Sequence, residues 1–280
     1  MRRKHIHNYF LLVLLSAFFI VLWMGNLKMR GMLQRLNENT VKSDAYREQN
    51  MREDMISYLE TSKKKGRDAG LFLLETDFGY ERFAHAYREE VFDRLKGKWN
   101  GQEAWTEYLA MTSAIWEDVK YFPIPVSTAD KKLGVSYENS WMTERTYGGR
   151  RGHEGTDIMT KKNIPGVYPI VSITDGVVTH KGWLEKGGYR IGITSPSGGY
   201  FYYAHMDSYA NIKEGDSVKA GEILGFVGDT GYGPEGTVGQ FPVHLHLGIY
   251  IYPQGEEISV NPYWVLRLLE AHKLLYDFHA

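Results

Sequence analysis

Apolar positions fall along this chain in three regimes. Over residues 9–25 they run almost unbroken, with Arg2, Arg3 and Lys4 ahead of them and Lys28 and Arg30 behind. That length lies near the lower limit of the ~17–25 residues a helix needs to cross a bilayer. A cleaved signal peptide would have a shorter apolar stretch ending in small residues. Trp23 and Met24 stand where those small residues belong, so the run reads as an uncleaved membrane anchor. Positive charge ahead of it favours residues 1–27 as a membrane anchor with a short cytoplasmic tail, and an extracytoplasmic remainder, although Lys28, Arg30 and Arg35 weaken the asymmetry.

In the second regime apolar residues are sparse and then periodic. Leu33, Leu36, Met51, Met55 and Leu59 include spacings of three and four, which predict a helical stalk from residue 28 to about 66, with a solvated linker as the alternative. Tyr80, Phe83, Ala84, Tyr87, Val91 and Leu95 form one helical face. Trp105, Tyr108, Leu109, Thr112, Ile115, Trp116 and Val119 form another, and the glycines of 96–101 break between them. Tyr121-Phe-Pro-Ile-Pro125 ends helical structure, because each proline lacks an amide donor and restricts its predecessor. The division is therefore placed between a helical region, 28–120, and a second domain, 121–280.

The third regime is short and β-rich. Runs at 169–174, 177–181, 189–194, 200–205, 222–227 and 243–250 alternate with glycine turns, notably Gly187-Gly188 and Ser197-Gly198-Gly199. They predict a mainly antiparallel all-β domain that closes with a helix from about 262 to 275.

Composition narrows the chemistry. A net charge of −1 gives no reason to expect nucleic-acid binding, and short basic runs such as Lys63-Lys64-Lys65 read as solvated surface. The absence of cysteine excludes disulfides, thiolate metal sites and cysteine nucleophiles. What remains is a concentration of imidazoles. His244 and His246 are two apart in a strand pattern, so both project from one face. His153 and Asp157 add a second pair, with Gly152 and Gly155 expected to permit a tight backbone path inward. Catalytic zinc usually takes three protein ligands and keeps a fourth position for water. Three can be drawn from this set, with histidines left over.

His153-x-x-x-Asp157, the lone His205 after an aromatic strand, the turn Gly228-Asp-Thr-Gly231 and the closing His244-Leu-His246 together resemble the lysostaphin/LytM-type zinc endopeptidases. The resemblance covers about residues 140–262. It implies a LytM-like catalytic domain with its groove over one sheet, one Zn(2+) held by His153, Asp157 and His246, and His205 and His244 flanking the metal-bound water and the scissile carbonyl. His244 is assigned as general base and His205 as transition-state stabiliser; the exchange of those roles stays open. The implied substrate is a peptidoglycan stem peptide or cross-bridge, and wall-assembly proteins would be partners through the helical region. This chain departs from the pattern in the longer approach 234–241 before His244 and in Leu247-Gly248 after the second histidine, which bears on substrate preference.

Other residues receive plainer readings. His180 reads as structural or surface, and Glu75 and Asp77 as exposed carboxylates near a helix start. Tyr147, Tyr168, Tyr189 and Tyr232 are candidates for lining a peptide groove. Two rival functions remain. One is a zinc-binding, non-hydrolytic scaffold that regulates wall enzymes or bridges membranes, as in sporulation; five filled site positions argue against it. The other is a biotinyl/lipoyl-type carrier, suggested by residues 213–225. It would need a lysine at the following turn, and Gly228-Asp-Thr-Gly231 has none.

Overall fold

The computed structural model describes residues 2–79, 97 and 99–280. The helical face read from Tyr80 to Leu95 lies outside the described residues. An α-helix, Arg2–Gln34, carries the apolar run, and its segment Asn8–Gln34 is long and apolar enough to cross a membrane. Tyr9, Phe10, Phe18, Phe19 and Trp23 all stand exposed around it, as expected of a helix that is hydrophobic on every side.

The residues read as a stalk form compact pieces instead. A 3-10 turn at Thr40–Lys42 and a short helix at Asp44–Arg47 lead into helices Glu53–Thr61 and Lys65–Glu75, with Trp105–Trp116 following. Met55, Ile56 and Leu59 put one face of the Glu53–Thr61 helix into the core. Across that face the carboxylate of Glu53 accepts two bonds from Arg267 Nη2, both 2.9 Å. Trp116 is fully buried and donates its indole N–H to Gln49 at 2.8 Å, so the chain on both sides of the described gap is locked together. The apolar core is continuous, from Met32 and Leu36 through Phe72 and Trp116 to Leu247 and Val265. An extended stalk would have left Met51, Met55 and Leu59 wet, at about 1.5–3 kcal/mol each.

The β domain contains β1 (Val126–Ser127), β2 (Val135–Tyr137), β3 (Glu144–Arg145), β4 (Arg151–Gly152), β5 (Thr156–Thr160), β6 (Pro169–Val171), β7 (Gly176–Leu184), β8 (Gly188–Thr194), β9 (Tyr200–Tyr209), β10 (Ser217–Val218), β11 (Ile223–Val227), β12 (His244–Ile251), β13 (Ile258–Val260) and β14 (Leu275–Tyr276). The main sheet runs β10-β7-β8-β9-β12-β5-β2, with β13 on β12, β11 on β9 and β6 on β11. Every pairing in it is antiparallel; β1 and β14 pair in parallel outside it. The closing helix is shorter than expected, Tyr263–Leu269, with a 3-10 turn at Glu270–His272. Leu275 is needed instead as a strand beside Val126.

Register places the chemistry. On β12, His244, His246, Gly248 and Tyr250 share one face. Ala204, Tyr202 and Tyr200 of β9 lie opposite the last three in turn. His246 also pairs with Asp157 on β5, so the terminal histidine of one strand and the carboxylate of the next are direct neighbours.

Candidate metal centre and groove

Three donor atoms meet above β12 and β5. His153 Nε2, His246 Nδ1 and Asp157 Oδ1 lie 3.0 Å apart in each pair. Tetrahedral zinc with bonds of about 2.0–2.1 Å needs donors roughly 3.3–3.4 Å apart, so the side chains need open by only a few tenths of an ångström. The trio is the metal-binding grouping found among the described residues. Burial pushes the Asp157 carboxyl upward, but hydrogen bonds from His153 and His246 outweigh it and hold the group well below the usual carboxylate range. Arg145 Nη2 donates to its other oxygen, Oδ2, at 2.6 Å, which leaves Oδ1 for the site.

Three of the four imidazoles are oriented from behind. His153 Nδ1 lies 3.2 Å from the Ser140 carbonyl and 3.1 Å from its hydroxyl. A proton on Nδ1, donated to that carbonyl, leaves the Nε2 lone pair facing the other donors. His205 Nδ1 is 2.8 Å from the Thr230 carbonyl, and His244 Nδ1 is 2.7 Å from that of Pro242. The same reasoning turns the Nε2 lone pair of both toward the groove. His244 Nε2 is 3.7 Å from Asp157 Oδ1. Burial lowers the affinity of His205, His244 and His246 for a proton, and for His205 its histidine neighbours add to that.

Local sequence explains the placement. His205 takes a left-handed backbone, φ 62°, inside β9. That costs a non-glycine residue on the order of 1–3 kcal/mol. Its N–H donates to Gly187 and its carbonyl accepts from Gly228, so two glycine turns hold the kink. Thr230, in the Gly228–Gly231 turn, also donates its hydroxyl to Met206 and accepts from the Tyr189 amide. Gly152 and Gly155 act differently from expectation, since neither has a left-handed φ. A side chain at Gly155 would strike the His246 ring, and one at Gly152 would strike Met142. Both serve close approach.

The trio and the two further histidines open into a groove of about 470 Å³. The longer approach to His244 folds over one end. Phe241 stacks edge-on to His205 at 4.5 Å, and Tyr232 packs on Phe241 at 4.8 Å and lies flat on Tyr147 at 4.1 Å. Of the tyrosines named from sequence, Tyr232 lines the groove and Tyr147 supports it. Tyr168 is buried, with its hydroxyl accepting from the Lys162 amide, and Tyr189 packs between Trp183 and Tyr209. Neither lines the groove.

The other end was missed. Tyr200, Tyr202 and Tyr250 form its floor, with Arg151 and Arg190 beside them. Strand parity could have found the tyrosines, because Tyr250 shares the face of His246, and Tyr200 and Tyr202 alternate on β9. His180 is exposed as read, yet it reaches this end too and meets Tyr200 edge-on at 5.6 Å. Glu75 and Asp77 are not part of the groove lining.

Comparison with known proteins identifies relatives of this chain. A family model described as peptidase family M23 matches residues 151–262, and one described as the LytM N-terminal domain matches residues 31–118. A crystal structure from Ruminococcus gnavus ATCC 29149, provisionally assigned as a glycyl-glycine endopeptidase lytM, is 55% identical. It covers 89% of this chain and 99% of its own, with a TM-score of 0.83. The L-Ala--D-Glu endopeptidase of Bacillus subtilis (strain 168) is 43% identical over 153 residues, 54% of this chain and 44% of its own length. Lysostaphin of Staphylococcus simulans is 41% identical over 66 residues, 23% of this chain and 13% of its own. The chain thus spans less than half the length of the curated relatives it matches.

Proposed function

The chain belongs to peptidase family M23, a zinc-dependent family, and on that premise we propose that it is an endopeptidase hydrolysing peptide bonds in peptidoglycan. The observation that carries the reading is the triangle of His153, Asp157 and His246 donors at 3.0 Å with two further imidazoles turned toward it. These three residues would hold one zinc ion. When bound, zinc supplies Lewis-acid polarisation of a carbonyl and lowers the pKa of water toward about 7.

The remaining work falls to the chain. His244 is the assigned base. Its Nδ1 proton is committed to Pro242, so its Nε2 accepts the proton of the attacking water and later returns it to the leaving amine. Asp157, 3.7 Å away, favours a transient imidazolium there. His205 is assigned to the developing oxyanion. It is deeply buried beside other histidines, so it holds a second proton at Nε2 only when negative charge appears in front of it. Phe241 and Tyr232 keep water from that end.

In the proposed organisation residues 1–27 are a single-pass anchor, 28–120 a helical region and 121–280 the peptidase domain, which faces the cell wall. Full-length protein with one equivalent of zinc, incubated with purified peptidoglycan, is expected to release fragments with new peptide termini by mass spectrometry. His244→Ala should bind zinc and release none. Zinc binding without new termini from the intact chain would overturn the peptidase reading in favour of a scaffold.

A further inference from the structure

The end of the groove remote from Phe241 has a charge pattern that the metal chemistry does not use. Arg145 and Arg151 are Cα partners across the two-residue ladder of β3 and β4. Like charges placed directly opposite are destabilising. Arg145 has a carboxylate partner, Asp157 at 2.6 Å from its Nη2, although its Nε also lacks an acceptor. Arg151 meets no carboxylate among the described residues, and its Nε is shielded from water without an acceptor. Across the groove on β8, Arg190 Nη1 is in the same condition. A dry N–H without an acceptor is destabilising, more so on a charged group, and Arg145 Nε, Arg151 Nε and Arg190 Nη1 all line this one groove.

Nearby acids do not answer these cations. Glu154 is taken by Arg47 at 3.0 Å, and Glu257 accepts from the Tyr252 hydroxyl at 2.9 Å. Lys186 adds another positive group to the lining. Between the two arginines lies Tyr202. Burial raises its phenol pKa, and the fields of both Arg190 and Arg151 oppose that rise, so both guanidinium groups stand near one ring. The floor is fixed. A side chain at Gly187, Gly192 or Gly248 would collide with Tyr202, Tyr200 or Tyr250 respectively, so each ring lies against bare backbone.

From these observations we infer that Arg151 and Arg190 form an anion subsite for a peptide carboxylate beside the scissile bond. The inference rests on the peptidase reading above for the bond, and it adds the substrate class: a carboxylate-bearing stem peptide in preference to a neutral oligoglycine bridge. Arg190 sits two strands from His246, across β9, about 10 Å at ordinary strand spacing. An extended peptide advances ~3.3–3.6 Å per residue, and the arginine arm shortens the gap. The carboxylate therefore belongs to a residue within about two positions of the cleaved bond.

The test uses the full chain and three probes: the peptide L-Ala–D-Glu–L-Lys with the glutamyl carboxylate outside the backbone left free, the same peptide with that group as an amide, and pentaglycine. Calorimetric binding to zinc-loaded His244→Ala protein, and kcat/KM on the unmutated chain, are measured for each. The free carboxylate is expected to bind about tenfold or more tightly than the amide, the size of a charge-assisted hydrogen bond. Arg190→Gln or Arg151→Gln, each introduced separately with its Tm checked, should bring that ratio toward one. Arg190→Lys should restore part of it.

Equal binding of acid and amide, or a ratio unchanged in both glutamine variants, would overturn the subsite. Cleavage of the peptides without a carboxylate preference would do so while leaving the peptidase standing. A carboxylate preference in binding that depends on the arginines, with no cleavage of any probe, would support the subsite and sink the peptidase reading.

Discussion

At one end of the groove Asp157 receives His153, His246 and Arg145, and the imidazoles of His153, His205 and His244 lean on backbone carbonyls. At the other end Arg151 and Arg190 hold N–H groups out of water with no acceptor. The first end is organised before any substrate arrives, as rapid chemistry requires. The second is organised around a vacancy of charge. Catalytic geometry is best fixed in advance, whereas selectivity is sharpest when a site is left unsatisfied by the wrong ligand. Variants at the organised end should therefore produce the larger losses.

Asp157→Ala should do the most. It removes one of three donors and the carboxylate on which two imidazoles and Arg145 converge. Zinc by elemental analysis should fall well below one equivalent, and turnover of peptidoglycan by about 10³-fold or more, since several kcal/mol of transition-state stabilisation go with the metal. A variant that kept its zinc would show that the donor triangle is misassigned. His205→Ala should separate chemistry from binding. Zinc content should stay near one equivalent while kcat drops by about 10²–10⁴-fold. Zinc loss in that variant would make His205 a ligand. Arg145→Gln comes next. It leaves the three donors in place but frees Asp157 Oδ2, and support of this kind is worth about 10–100-fold in metal affinity. A chelator competition titration reads that shift, and an unchanged affinity would mean that the hydrogen bonds from His153 and His246 alone hold the carboxylate.

Legibility in the sequence follows the same divide. The metal end could be read because its residues are chemically rare and their spacing is strict: an alternate-residue histidine pair is forced onto one strand face, and β12 obeys. Arg151 and Arg190 looked like any surface arginines, because what distinguishes them is a missing partner, and absence of a partner is a tertiary fact. The segment 28–66 was misread in shape for a related reason. Its apolar residues are too few to mark a face alone, and only the Arg267–Glu53 and Trp116–Gln49 bonds show that Met55 and Leu59 have a surface to cover. The exposed helix over Asn8–Gln34 needed no partner to be seen, since unbroken hydropathy is its whole signal.

The smallest effect tests whether the helical region steadies the organised end. Arg47, on the short helix Asp44–Arg47, donates Nε to the Ser259 carbonyl at 3.0 Å, Nη2 to the Ser259 hydroxyl at 2.9 Å and Nη2 to Glu154 at 3.0 Å. Its guanidinium also sits 5.6 Å from the Trp141 ring. Glu154 directly follows His153, so this one side chain ties the helical region to the loop between two of the proposed metal donors. Half of the network is near solvent, where ion pairs contribute little, but the bonds to Ser259 are sheltered. Arg47→Ala should therefore cost about 1–2 kcal/mol, seen as a Tm lower by several degrees in thermal unfolding. Turnover should change by only a few-fold. Glu154→Gln should cost less, and the double variant should cost less than the two losses added, because both act on one contact. Strict additivity would break the link: the helical region would then stabilise the fold through Ser259 and the apolar core, and the loop carrying His153 would owe its position to Ser140, Met142 and Thr143.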